Sequence, residues 1–202
     1  LYGDGVAFSF YPTKNLGALG DAGGIATNSL STSQSILSRR SYGQGLSKYD
    51  HVDTGWNTRL DPLQAEFLRL HLGKLSSWNE KRRNIANSYL KALGEKKYFA
   101  LGCSTLNSSV WHHFVLSIPE PDISRKFLLE KFGINTDVHY PYFIKSVSPA
   151  YDSIPAAFKD ANLPNAETLS KQVFSLPMGP WMSEEEIEQV CRGLESLSEQ
   201  MS

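Results

Sequence analysis

Apolar and polar positions along the chain alternate in a way that predicts mixed helix and strand structure. Short apolar runs predict strands over Val6–Phe10, Ile25–Thr27, Val110–Ile118, Ile134–His139 and Phe174–Leu176. Apolar residues spaced three and four apart predict helices over Ser31–Arg40, 63–93, Ile123–Phe132, Asn165–Val173 and Ser183–Leu197. The first strand is expected to be buried, and the stretch 63–93 fits one long helix or two abutting ones. The fold class is therefore α/β or α+β.

Cap residues mark where several of these helices begin. Ser31 or Ser33 is a candidate cap for the first helix. Asp61, followed by a proline, can cap the longest helical stretch. Ser183 with Glu186 three residues later forms a capping box for the last helix.

Two segments lack a regular period. Residues 41–59 contain three glycines and form a long loop, and loops of this length are often functional. Residues 140–164 contain four prolines and are expected to be irregular. A domain boundary is expected near Ser76–Ser77, which gives one domain over residues 1–77 and a second over residues 78–202.

The amino-acid composition and the net charge limit the classes of protein to which this chain can belong. The chain has 202 residues, of which 41% are hydrophobic and 20% charged, with a formal net charge of -1; these values are typical of a soluble globular protein. Without a long basic run, binding to nucleic acid or to a membrane surface is not expected. No apolar stretch approaches the roughly 18 residues of a membrane span, and no signal peptide is visible. The chain opens with Leu1 just before a strand-like run, which favours a missing N-terminal part.

The two cysteines, Cys103 and Cys191, lie far apart and show no metal-ligand spacing. Each is expected to be a buried or incidental thiol. This usage fits a protein of the reducing cytoplasm.

Lys14 is the first candidate for chemistry. It follows a predicted strand and a tight turn and precedes a glycine-rich loop, so a rigid backbone can direct its side chain into a cleft. A desolvated lysine amine loses its charge and becomes a nucleophile that forms a Schiff base with an aldehyde. Ser9, five residues earlier, could donate a hydrogen bond to a phosphate near that aldehyde. Taken alone, such a position is more often an exposed loop lysine.

Two glycine-containing segments are weaker candidates. Residues 17–24 have neither dinucleotide-loop nor P-loop spacing, and a tight connection between two strands is their expected role. In residues 55–59, the amide of Asn57 can donate to a phosphate oxygen, and Arg59 can pair with a carboxylate. The alternative is that this segment is a loop at the start of a helix, and that its polar side chains hydrogen-bond only to the backbone of the loop itself.

Three histidines raise the question of a metal. His112 and His113 are adjacent on a predicted strand, where neighbouring side chains point to opposite faces, so they are not expected to share an ion. No acidic residue stands at a useful spacing, and no metal site is predicted. His139, at the end of another predicted strand, either faces a cleft or is a structural histidine.

Five segments in order resemble the blocks of one family. They are Ala7–Asp21 around Lys14, Gly55–Asp61 with Leu63–Ala65, Trp78–Arg83, Thr136–Pro141 and Ser175–Met178. The chain resembles the C-terminal portion of the DegT/DnrJ/EryC1/StrS sugar aminotransferases over nearly its whole length.

The resemblance implies an α/β, type I fold of the pyridoxal-phosphate-dependent transferases. A partial large domain that binds the cofactor would span residues 1–77, and a C-terminal α+β small domain would span residues 78–202. The resemblance also implies a homodimer with both active sites at the subunit interface.

The resemblance assigns roles to five residues. Lys14 would hold pyridoxal 5'-phosphate through its amine and later shuttle protons, and Ser9 would bind the cofactor phosphate. Asn57 would reach the phosphate of the neighbouring subunit's cofactor. His139 and Tyr42 would lie near the substrate.

The implied reaction moves an amino group from glutamate to a keto group of a nucleotide-linked sugar, a step in polysaccharide biosynthesis. Dehydratase-like family members carry histidine in place of the lysine, so Lys14 favours amino transfer; a lyase or dehydratase on the same cofactor is the weaker alternative. The family's N-terminal half, including the acid that pairs with the pyridine nitrogen, has no counterpart here. The chain is therefore either a fragment of a longer enzyme, or a truncated paralogue or split-gene product that acts as a non-catalytic binding or assembly module.

Overall fold

The chain forms two compact units, Leu1–Ser77 and Trp78–Ser202. A computed structural model describes residues 3–95, 100–101, 109–141 and 162–200.

Both units combine helices with strands, which confirms a mixed α and β class. In chain order the elements are β1 (Val6–Ser9), β2 (Gly23–Ala26), α1 (Leu30–Arg39), α2 (Pro62–Leu72), α3 (Leu75–Leu93), β3 (Phe114–Ser117), α4 (Pro121–Phe132), α5 (Pro164–Ser170), β4 (Val173–Leu176) and α6 (Glu184–Gln200).

The sheet of the first unit is an antiparallel pair of strands. β1 pairs with β2 in a register that sets Ala7 opposite Ile25 and Phe8 opposite Gly24. The prediction of a buried first strand is wrong, because three of the four residues of β1 are exposed and Phe8 is 48% exposed. In the described chain this sheet has two strands, and so small a sheet cannot bury both of its faces.

Helix α1 is capped by Ser29 rather than by the predicted Ser31 or Ser33. The hydroxyl of Ser29 accepts a hydrogen bond from the Thr32 N–H at 3.2 Å, and the backbone of Ser29 is extended. A capping residue must have a non-helical backbone, and both predicted serines already lie inside a helix that begins at Leu30.

Helix α2 begins at the predicted cap. The carboxylate of Asp61 accepts hydrogen bonds from the N–H groups of Leu63 at 2.8 Å and Gln64 at 3.4 Å. The long helical stretch is two helices, because α2 is capped at Gly73 and α3 starts at Leu75.

The predicted loop over residues 41–59 contains no helix and no named strand. Two isolated bridges cross it, Ser41 with Asn57 and Gln44 with His51. The two arms of the loop therefore run antiparallel to each other.

The second unit encloses one apolar core around the antiparallel strands β3 and β4. Its largest fully buried side chains come from α3, β3, α4, β4 and α6. They are Tyr89, Phe114, Leu116, Leu128, Phe174 and Leu194.

Helix ends in the second unit follow the sequence closely. The predicted capping box is confirmed: the Ser183 N–H donates to Glu186 Oε2 at 2.8 Å, and the Glu186 N–H donates to Ser183 Oγ at 3.2 Å. Gly133 ends α4 as predicted, with φ of 65°, a conformation that a residue without Cβ adopts easily. Helix α5 ends at Ser170, before the predicted end at Val173.

Two strand predictions in the second unit need correction. The strand expected over Val110–Ile118 is confined to β3. Residues Ile134–His139 form no strand and make a single bridge, Asp137 with Ser175. The Asp137 carboxylate accepts a hydrogen bond from the Val138 N–H at 2.8 Å, and that local bond competes with extension of the ladder.

The irregular segment predicted over residues 140–164 lies mostly outside the described residues, as does Cys103. Cys191 is half-buried on α6, and burial raises the pKa of its thiol. Among the described helices, none combines the length and apolar character that a membrane span requires.

Candidate functional site

An open cleft of about 650 Å³ lies in the first unit. The end of β1 and the turn after it contribute Ser9 and Lys14 to its wall. Asp21 lines the cleft just before β2, and Thr58 and Arg59 line it from the end of the long loop. The structure therefore brings the predicted catalytic lysine and the predicted phosphate-binding serine into one concave site.

The turn that carries Lys14 is narrowly constrained. The Lys14 N–H donates to the carbonyl oxygen of Tyr11 at 2.8 Å. A Cβ at Gly17 would lie 2.4 Å from the carbonyl oxygen of Pro12, so only glycine allows the backbone to pass this close. Lys14 itself is half-buried, between a core position and an exposed loop position.

Ser9 is exposed in the same cleft. Its hydroxyl oxygen accepts a long hydrogen bond from the Tyr11 N–H, at 3.4 Å. Because the oxygen acts there as an acceptor, the O–H of Ser9 can donate to a ligand in the cleft.

The long loop supplies a second side of the cleft. Its backbone bridges Asn57 to Ser41, and the next two residues, Thr58 and Arg59, line the cleft. The Arg59 guanidinium lies 5.5 Å from the centroid of the Tyr42 ring, a cation–π distance. Tyr42 has φ of 60°, which is uncommon for a residue with a side chain. The predicted roles of Asn57 and Tyr42 stay predictions.

The chemistry of this cleft fits a ligand that carries both an aldehyde and a phosphate. The amine of Lys14 can condense with an aldehyde. The hydroxyl of Ser9 and the guanidinium of Arg59 can donate hydrogen bonds to phosphate oxygens.

His139 lies in the second unit, within a cluster of imidazoles. Its Nδ1 is 3.0 Å from Ser175 Oγ, and its Nε2 is 3.6 Å from Asp137 Oδ2. The ring of His113 stacks on it with centroids 4.0 Å apart, and His112 lies 4.1 Å from His113. The expectation that the two adjacent histidines point apart is wrong, because they precede β3 and strand alternation does not apply to them. Within the described residues, no three histidine, cysteine or acidic side chains are grouped to hold a metal ion.

A buried arginine holds the backbone that carries two of these histidines. Arg82 is 2% exposed, and its Nη1 donates to the carbonyl oxygens of Trp111 at 3.0 Å, His112 at 3.2 Å and Met178 at 3.4 Å. Burial lowers the pKa of the guanidinium. Trp111 has φ of 44°, so these bonds support a backbone conformation that is otherwise unfavourable.

Sequence reasoning did not single out several residues that organise these sites. Arg82 had a usable signal, because Ile85 and Tyr89 follow it at helical spacing on the apolar face of α3. Gln64 lies in the block Leu63–Ala65 that carries the family resemblance. Neither its contact with the loop after Lys14 nor that of His71 could be inferred from spacing, since the partners are distant in sequence.

A sequence model of the DegT/DnrJ/EryC1/StrS aminotransferase family matches residues 1–195 of the chain. The chain belongs to that family. The family prediction made from the sequence blocks is therefore confirmed, and the match extends across both units.

Two curated relatives of this chain have names that specify different sugars. A dTDP-3-amino-3,4,6-trideoxy-alpha-D-glucose transaminase from Streptomyces venezuelae is 39% identical over 86% of this chain and 45% of its own length. A 3-oxo-glucose-6-phosphate:glutamate aminotransferase from Bacillus subtilis is 31% identical over 96% of this chain and 45% of its own length. The chain thus spans about half the length of the curated relatives it matches.

A solved structure similar to this chain supports the fold. The crystal structure of NtdA from Bacillus subtilis, with bound cofactor PMP, superposes with a TM-score of 0.86 and 30% sequence identity. The likeness covers 98% of this chain and 47% of NtdA. This confirms the predicted α/β transferase fold for the portion of the family represented here.

Proposed function

We propose that this chain is the C-terminal portion of a pyridoxal-phosphate-dependent sugar aminotransferase. One observation carries the proposal: Lys14 and Ser9 line a single cleft in a chain that the family model matches over residues 1–195. In this proposal the unit Leu1–Ser77 contributes to the cofactor-binding domain. The unit Trp78–Ser202 is the small domain.

Several residues of the first unit bind the cofactor in this proposal, each in a different way. Lys14 binds the cofactor covalently through its amine and moves protons at the reacting carbon. Ser9 would donate a hydrogen bond to the phosphate, and Arg59, which lines the same cleft, would add positive charge. Asn57 reaches the cofactor of the neighbouring subunit in a homodimer. When bound, pyridoxal phosphate supplies the electron sink that amino transfer requires.

The overall reaction is an exchange of an amino group for a carbonyl oxygen. Glutamate gives up its amino group and leaves as 2-oxoglutarate, while the keto group of the sugar becomes an amino group. Glutamate as the donor is supported by the Bacillus relative, which is named a glutamate aminotransferase, and a nucleotide-linked acceptor by the Streptomyces relative, whose named sugar is linked to dTDP. The proposed acceptor is a nucleotide-linked keto sugar, and His139 and Tyr42 are the proposed contacts to it.

A non-catalytic binding or assembly module is the second candidate. It is favoured by the open surface of the first unit, where Phe8, Ile25 and Trp56 are 48%, 58% and 68% exposed around one groove. A chain of this kind would keep the fold without covalent chemistry at Lys14.

Covalent trapping of the cofactor separates the two candidates. The protein is mixed with pyridoxal phosphate, reduced with borohydride, digested and examined by mass spectrometry. We expect the label on Lys14, together with a visible absorbance band that Lys14→Ala abolishes. Transfer from glutamate, followed as 2-oxoglutarate, should fall by about 1,000-fold in that variant.

The matched control is Lys48→Ala, which removes an exposed lysine from the same unit. It should leave both the band and the label unchanged. A protein that shows no Lys14-dependent band contradicts the aminotransferase proposal and favours the binding module.

A further inference from the structure

We propose that Gln64 and His71 of α2 are positioning residues for Lys14, a role that rests on the proposed function. Neither side chain lines the cleft. Both contact the short loop that connects Lys14 to β2, and both do so through hydrogen bonds to its backbone.

Gln64 satisfies two neighbouring backbone donors of this loop. Its Oε1 accepts hydrogen bonds from the Leu19 N–H at 2.8 Å and the Gly20 N–H at 3.1 Å. A Cβ on residue 20 would stand 3.2 Å from Gln64 Nε2, so the loop is in close contact with the amide. Only the carbonyl side of the amide can accept these bonds, and they fix its orientation.

His71 contacts the same loop closer to Lys14. Its Nδ1 lies 2.9 Å from the carbonyl oxygen of Gly17. A carbonyl can only accept, so Nδ1 carries the proton and donates. The ring also packs on Phe67, with centroids 4.1 Å apart, which limits its rotation.

The two contacts come from one rigid surface. Gln64 and His71 are seven residues apart, which is close to two helical turns, so both project from the same side of α2. The helix is itself fixed at its start by the Asp61 cap. The loop is therefore held at two points by side chains whose spacing is set by helix geometry.

These contacts lie close enough to Lys14 to control its direction. The Ala18 N–H donates to the carbonyl oxygen of Phe10 at 2.8 Å, which closes the loop back onto the end of β1. Gly17, the partner of His71, is buried and is three residues from Lys14. Because the loop between these points is short, displacing residues 17–20 must move the turn that carries the lysine.

Loss of these contacts should affect chemistry more than stability. A reacting amine must be held in near-attack geometry, and a displacement of about 1 Å can reduce a rate by about 100-fold. The two bonds to Gln64 are at exposed or part-buried positions, so their loss costs little free energy of unfolding, and loss of the part-buried bond from His71 costs about 1 kcal/mol.

The test compares matched pairs of variants. Gln64→Leu removes the acceptor oxygen, whereas Gln64→Glu keeps one. His71→Leu removes the donor, whereas His71→Gln keeps one. Glu66→Gln, at an exposed position of the same helix, is the control. For each protein, the rate at which pyridoxal phosphate becomes attached to Lys14 is measured by borohydride trapping, with thermal unfolding and amide exchange at Leu19 and Gly20.

We expect the two leucine variants to trap cofactor on Lys14 about 10- to 100-fold more slowly than wild type, with faster exchange at Leu19 and Gly20. The Gln64→Glu and His71→Gln variants should recover most of the rate, and Glu66→Gln should match wild type. Wild-type trapping rates in both leucine variants would overturn the positioning role. So would a leucine variant and its conservative partner that are equally slow. Absence of trapping in the wild-type protein would instead overturn the proposed function, and the positioning role with it.

Discussion

Tyr89 is a buried phenol at the centre of the second unit. Its ring is fully buried and meets Phe114 edge-on with centroids 5.2 Å apart. Its hydroxyl donates to the carbonyl oxygen of Pro177 at 2.9 Å. Burial raises the pKa of the phenol well above its ordinary value of 10.0, and Cys191 and Glu186 raise it further.

This phenol should make the second unit sensitive to alkaline pH. Above its ordinary pKa, the unfolded phenol loses its proton while the folded one keeps it, so rising pH favours the unfolded state. From about pH 10 upward, Tyr89 alone should lower the free energy of unfolding by about 1.4 kcal/mol per pH unit. Urea unfolding at a series of pH values should show this slope in the wild type and its loss in Tyr89→Phe.

Tyr140→Phe, which removes an exposed hydroxyl from the same unit, should keep the wild-type pH dependence. An identical alkaline slope in Tyr89→Phe and wild type would show that other groups are responsible.

At the scale of elements, α6 depends on the bonds at its first turn. The helix buries Val190, Leu194 and Leu197 in the core, so fraying at its start weakens a surface that the core needs. Ser183→Ala removes the acceptor of the Glu186 N–H, and we expect a loss of about 1 kcal/mol in the free energy of unfolding, measured with urea. Ser183→Thr keeps a hydroxyl that can accept this bond, so its free energy of unfolding should fall much less. Equal losses in the two variants would mean that the capping bond is not the cause.

Elements set by local chemistry were predictable from the sequence. The starts of α2 and α6 follow from side chains that bond to backbone groups two or three residues away, Asp61 in one case and Ser183 with Glu186 in the other. The end of α4 follows from Gly133, which adopts the left-handed conformation. In each case the groups that determine the helix end are close in sequence, so a short stretch of sequence is enough to predict it.

Elements set by distant partners were not predictable. The strand prediction for residues Ile134–His139 is wrong, because the single ladder position in this segment is at Asp137, which bridges to Ser175. The rings of His112 and His113 lie side by side because both residues come before β3, where strand alternation does not apply. The sequence prediction began this strand at Val110 and so expected the two side chains to point apart.

The same distinction between partners near in sequence and partners far apart applies to the candidate site. The location of Lys14 and Ser9 in one cleft could be predicted, because a strand and the turn after it place both there, while their roles stay predictions. Gln64 and His71 could not, because their partners lie 44 to 54 residues away, as the bonds to Gly20 and Gly17 show.

At the scale of the whole molecule, the two units differ in how much apolar surface they bury. The main cluster of buried side chains runs from Ile85 to Leu197 and belongs wholly to the second unit. Among the described residues of the first unit, the buried hydrophobic side chains are Ala18 and Leu68. Since burial of apolar surface is the main favourable contribution to folding, the units should differ in stability.

The two sheets allow a direct test, because each is an antiparallel pair of four-residue strands. All four residues of β4 are buried, whereas three of the four in β1 are exposed. We expect amides in β1 and β2, and across residues 1–58 in general, to exchange with deuterium faster than those in β3 and β4. Equal protection in the two sheets would contradict this expectation. Protection in β1 that increases with protein concentration would instead indicate that a second copy of the chain covers these exposed strands.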